Sequence, residues 1–243
     1  MSNKQISREF LYLTLGVSLL LTPLLLAQHS LLIEKSLTLL YVWMPGLISL
    51  WLIKLRHRQS LARYGVRFQP KGNWLWALII PTIHIILTLL LVLGMKWDQT
   101  NPQIAEQSLL PIFLHILTLS VTVNALLAFG EELGWRGVLF SGLRRLGFWR
   151  CHLTIGVIWG IWHIPLMLAA NLYPDNQAAG FMLFFLATLL LSPIIGWVRE
   201  QGQSVIASTL FHGMFNALTH LPIILLWQAD AMYSSPLGLA GVI

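Results

Sequence analysis

Two adjacent carboxylates and a guanidinium, Glu131, Glu132 and Arg136, stand inside the apolar string AFGEELGWRGVLF. The chain is 56% hydrophobic and only 10% charged, so three ionisable groups in thirteen residues stand out. At the centre of a membrane helix each such group costs roughly 2.5–3.5 kcal/mol on insertion scales. Residues of this kind are rare there, face a protein interior or a wet cavity, and mark function. Two later apolar stretches carry polar groups able to meet them: His163 in one, His212 and Asn216 in the other.

Spacing says what these groups can do together. Glu132 and Arg136 are four residues apart, share a helix face and can pair. Glu131 is turned about 100° from Glu132, so the two carboxylates need not share a role. Pairing holds Glu132 ionised and leaves Glu131 free, and an unpaired carboxylate in an apolar setting suits general-base work. His212 and Asn216 are also four apart and can reach one substrate oxygen. Trp159 and His163 repeat the interval, so the indole can wall the imidazole. Taken alone, each has a plainer reading: a structural ion pair for the glutamates, a satisfied core histidine for His163. Ser208, one turn before His212, lacks the strand-to-helix elbow of a serine nucleophile.

The elements that must position these groups are membrane helices. Mean hydropathy is +0.72, and a soluble domain of this size needs far more polar surface. Spans of roughly 20 apolar residues are expected at Phe10–Leu26, Ser36–Leu55, Trp74–Met95, Leu109–Phe129, Leu153–Ala170, Phe181–Val198 and Ser204–Trp227. The fourth runs on through the glutamates towards Ser141, and the last, which contains Pro222, admits a short helix followed by a partial further one. The expectation is a single all-α polytopic helix bundle over residues 1–243 with about seven or eight spans. The first run lacks a small-x-small cleavage site and is not a leader. By helical rise, His163 and His212 lie about 15 and about 12 Å in from one membrane edge. Glu131 lies roughly 15–20 Å in from the same side, so three helices bring polar groups to one depth.

Charge placement sets orientation. Lys4, Arg8, Lys54, Arg56, Arg58, Arg63, Arg67, Lys71, Arg144, Arg145, Arg150 and Arg199 all fall on one side if the spans alternate. The other side has Lys35 and Lys96 with Glu34, Asp98, Glu106 and Asp175. The positive-inside rule places the N-terminus and the basic loops in the cytoplasm, and residues 54–71 can lie on anionic headgroups. The net charge of +6 sits in these loops without an aromatic-basic motif, so no nucleic-acid partner is expected. The lone Cys151 excludes an intramolecular disulfide and reads as an inert buried thiol. Trp74, Trp97, Trp149, Trp197 and Trp227 end apolar runs, as interfacial belts do. Gly156 and Gly160 form a GxxxG for plain packing. His84 and His115 are expected to be buried and hydrogen-bonded; His29, His57, His152 and His220, near interfaces, to be solvated.

Three motifs carry a family resemblance. EELGWR (Glu131 to Arg136) resembles the EExxxR motif of the CPBP (ABI) intramembrane proteases, also called type II CAAX prenyl endopeptidases. WGIWH (Trp159 to His163) resembles their Phe-x-x-x-His motif, with Trp159 in place of Phe, and FHGMFN (Phe211 to Asn216) their His-x-x-x-Asn. Order and spacing agree over a core of about 109–227. The resemblance implies Glu131 as general base with His163, an oxyanion hole from His212 and Asn216, and support from Glu132 and Arg136. Zinc on Glu131, His163 and His212 is the metal alternative; without HExxH, a site with no metal or other cofactor is favoured. The function expected is an intramembrane endopeptidase that cuts a membrane-associated protein or peptide, including CAAX-type C-terminal processing, in a bacterial inner membrane. The alternatives are a proton- or ion-coupled carrier, whose usual repeats and paired broken helices are not seen, and a non-catalytic peptide-binding factor of immunity type.

Overall fold

Helices account for every long element in the computed structural model, which describes residues 2–69, 73–104 and 108–243. Lys71 and Glu106, used in the charge reading, lie outside these residues. Six helices are long and apolar enough to cross a membrane: α1 Asn3–Leu26, α2 Leu31–Arg56, α3 Trp76–Gly94, α4 Leu109–Leu146, α5 Phe148–Ala169 and α6 Gln177–Gln201. Shorter helices follow: α7 Val205–Leu218, α8 His220–Leu225 and α9 Leu239–Val242.

The expected Ser204–Trp227 span takes its divided form. The helix breaks at Thr219, and Pro222, which has no N–H to offer the carbonyl of Leu218 four residues back, lies inside the separate short helix α8. At the other junction α4 tightens into a 3-10 turn over Arg144–Leu146. Gly147 then adopts φ +82°, a conformation open to glycine, and the chain enters α5.

Leu19, Leu20, Leu32, Leu87, Leu90, Leu110, Leu126 and Met182 lie exposed on the outer faces. So large an apolar exterior is untenable in water and is what a bilayer covers. Inside, α4 is central: it packs on α1, α2 and α7, while α5 packs on α6, and α7 also meets α3 and α6. These approaches depend on missing side chains. A Cβ at Gly46 of α2 would stand 2.7 Å from Gly130 Cα, and one at Gly134 would stand 2.7 Å from both Phe10 and Pro45. The α4 backbone thus runs hard against α1 and α2 just where the glutamates lie. Gly156 and Gly160 bring α5 onto Ser192, Leu189, Thr188 and Phe185 of α6, which is the packing role expected of them.

Two histidine expectations are corrected. His152 is fully buried, because it lies one turn inside α5 and Gly196 of α6 leaves room for its ring. It stacks on Phe140 at 5.4 Å and reaches Glu200 at 3.2 Å. His115 is exposed on the outer face of α4. His57 is half-buried and bonds to Glu9 at 2.9 Å; His84 is half-buried against Phe215, with Pro236 O at 3.4 Å. Cys151 is free and buried.

Candidate active site

Helix α4 is not uniformly α-helical. It widens into π turns at Ser120–Asn124 and at Leu133–Leu139, the second directly after Glu132. Such turns inside α-helices often accompany functional sites. They let one helix project several polar side chains without ending. Gly213, next to His212, seats α7 on the first widened turn: a Cβ there would lie 2.7 Å from Ser120 O and Ala125 N.

The two glutamates divide as their spacing requires. Glu132 is fully buried, and its Oε1 accepts from Arg136 at 2.9 Å and shares a 3.0 Å contact with His212 Nδ1. Arg136, equally buried, reaches Ser192 Oγ at 3.4 Å, and its guanidinium lies 4.6 Å from the centre of the Trp159 ring, a cation–π distance. Ser192 in turn donates to His152 O at 2.7 Å, fastening α6 to α5.

Glu131 takes different partners. The indole N–H of Trp159 donates to its Oε2 at 2.7 Å, and His163 Nε2 stands 3.9 Å from the same oxygen. The expectation that Glu131 is free is therefore corrected: it has no cationic partner as close as Arg136 is to Glu132, but it accepts the indole at 2.7 Å. Phenylalanine at 159 could make no such bond. His163 Nδ1 lies 2.8 Å from Trp159 O. A carbonyl can only accept, so Nδ1 carries the hydrogen and Nε2 of the neutral ring presents a lone pair towards Glu131. By the same reasoning, with Glu132 ionised, His212 donates through Nδ1 and turns Nε2 away from the ion pair.

Glu131, Trp159, His163, His212 and Asn216 line one cavity of 270 Å³, whereas Glu132 and Arg136 do not reach it. Water occupies about 30 Å³ per molecule in the liquid, so the cavity admits a few waters and part of an extended chain. Its walls include Phe184, Thr188 and Phe215, and also Val42 and Leu237. The last two fall outside the 109–227 core, and no motif marks them. Trp162 also escaped the motif reading: it meets His163 edge-on at 4.9 Å, donates to Ser18 at 2.9 Å and stacks on Tyr41 at 4.9 Å. Tyr41 OH donates to Trp162 O at 2.8 Å. Among the described residues no group of three acidic, histidine or cysteine side chains is drawn together as it stands. Ser208, one turn before His212, spends its hydroxyl on Val205 O at 2.9 Å.

Residues 111–218 match the family model for type II CAAX prenyl endopeptidase Rce1-like proteins. This region is similar to that family. All three motifs and both widened turns of α4 lie within the matched segment. A curated relative, CAAX prenyl protease 2 of Methanococcus maripaludis, is 36% identical over 92 residues, which are 35% of this chain. The chain spans about a third of the length of that relative, 34%.

Proposed function

We propose that this chain is an intramembrane endopeptidase that hydrolyses a peptide bond of a membrane-associated protein or peptide by glutamate-activated water. The observation that carries the reading is one cavity holding Glu131, His163, His212 and Asn216, contributed by α4, α5 and α7. The Rce1-like match supports the peptidase class.

In this reading a water lies between Glu131 and His163 and donates one hydrogen to each. Glu131 takes the proton as the water oxygen attacks the carbonyl carbon, a contribution of about 10²–10⁴-fold for a positioned base. Trp159 fixes both acceptors, one through its indole N–H and the other through its carbonyl. The negative charge that develops on the carbonyl oxygen is met by His212 and Asn216, at a typical worth of about 3–4 kcal/mol for a strong donor. Donation from His212 Nε2 while Nδ1 donates to Glu132 requires the imidazolium, whose charge Glu132 faces. Glu132 and Arg136 act behind the cavity by holding His212 and α4 in register. The protonated Glu131 then returns its proton to the leaving amine.

We favour a site without metal. Asn216 lies one turn after His212, a pairing that suits two donors aimed at one oxygen better than a ligand and its neighbour. The substrate class includes CAAX-type C-termini, the activity printed in the relative's name. The test compares membranes from cells lacking the protein and complemented with wild type or Glu131→Gln. New C-terminal ends should appear with wild type alone; identical sets of ends in both would refute the proposal.

A further inference from the structure

At the end of the bundle where most cations gather, a 560 Å³ crevice opens between the start of α1, the segment around Arg63 and the end of α4. Lys4, Arg8, Arg63, Arg144 and Arg145 all line it, and among the described residues no carboxylate does. None of the five forms an ion pair among the described residues. Glu9, next to Arg8, is already held by Arg56 at 2.8 Å and His57 at 2.9 Å. Five like charges facing one crevice repel one another, and although Arg63 donates to Gln59, no carboxylate among the described residues pairs with any of them. All five are exposed, but three separate chain segments bring them to one crevice. The crevice is built, since Ser7 at its floor donates to Val138 O at 2.7 Å and a Cβ at Gly142 would strike Ser7. Leu11, Leu139, Leu143 and Leu146 add apolar wall beside the polar Ser2, Asn3 and Ser141. Cations beside leucines at a membrane edge match a phosphate with an acyl chain attached, and basic pockets between membrane helices take such headgroups.

We propose that this crevice binds the phosphate group of an anionic phospholipid, with an acyl chain along Leu143 and Leu146. The bound lipid would clamp α1 onto α4 at Leu139, three residues past Arg136, and so brace the helix that carries the glutamates. The inference does not depend on the peptidase reading, because its readouts are binding and melting.

The test uses the full chain in detergent, titrated with short-chain phosphatidylglycerol, short-chain phosphatidylcholine or inorganic phosphate, and followed by melting temperature and native mass spectrometry. Phosphatidylglycerol should bind saturably and raise the melting temperature, while phosphatidylcholine should not. Arg8→Gln/Arg144→Gln/Arg145→Gln should weaken that binding about 100-fold, from about 1 kcal/mol per cation. Lys54→Gln/Arg58→Gln/Arg150→Gln removes equal charge outside the crevice and should bind like wild type. Equal losses in both variants would mean diffuse surface charge and overturn the site. Inorganic phosphate stabilising as well as phosphatidylglycerol at equal concentration would overturn the lipid as its source. If the first variant does not purify, Arg144→Gln/Arg145→Gln carries the comparison, with a fall of about 30-fold expected.

Discussion

At the scale of single residues, the proposed hydrolysis needs one group that does chemistry and others that hold it. Glu131→Gln keeps size and removes the base, so turnover should fall about 100-fold or more with little change in melting temperature. Glu132→Ala or Arg136→Ala leaves a buried charge alone and should cost about 3–5 kcal/mol of stability; equal melting temperatures for these and Glu131→Ala would contradict the division. Trp159→Phe keeps an aromatic wall and deletes one N–H. A hydrogen bond to a charged group is worth about 1.5–3 kcal/mol, so kcat should fall about 10–100-fold with KM and melting temperature nearly unchanged. A variant as active as wild type would show the 2.7 Å indole bond to be incidental. His212→Gln keeps a donor that binds zinc poorly and should retain partial activity. One zinc per active molecule, lost on chelation together with activity, would instead make Glu131, His163 and His212 ligands.

At the scale of elements, the motifs were legible because i,i+4 spacing survives on α4, α5 and α7: Glu132 does pair with Arg136 at 2.9 Å. What spacing could not give was what lies across the gap. Nothing in EELGWR says that Glu132 also holds His212, or that the indole of Trp159 turns to Glu131, since both depend on how helices distant in sequence are rotated. His152 was misread for the same reason: its position near a helix start suggested water, but Gly196 on another helix gives it a buried slot. The widened turns of α4 were not legible either, because π and α turns use the same residues. Close backbone approach offers a test. In Gly213→Ala the new methyl would meet backbone atoms of α4 that cannot yield. Overpacking costs about 1–3 kcal/mol, and a displacement of about 1 Å at a site can cost about 100-fold in rate. Gly94→Ala meets nothing within 4 Å and should be tolerated in both measurements; Gly213→Ala behaving identically would contradict the seating of α7.

At the scale of the whole molecule, the all-helical bundle followed from hydropathy, and six of the expected spans are long helices. The site cavity draws on more of the chain than the motifs do, since Val42 and Leu237 help close it. Orientation is tested by single cysteines at Ser60 and Gln99 in a Cys151→Ser background. An impermeant thiol reagent should label the cysteine at 99 in intact cells and the one at 60 only after permeabilisation; the reverse pattern would invert the proposed topology. The central claim is that Glu131 activates water for peptide-bond hydrolysis inside the membrane. Its most direct measurement places the purified protein in proteoliposomes with membrane polypeptides in ¹⁸O-water and reads the new C-termini by mass spectrometry. The account predicts ¹⁸O-bearing C-termini from wild type that are nearly absent with Glu131→Gln; equal ¹⁸O-bearing products from the two proteins would contradict it.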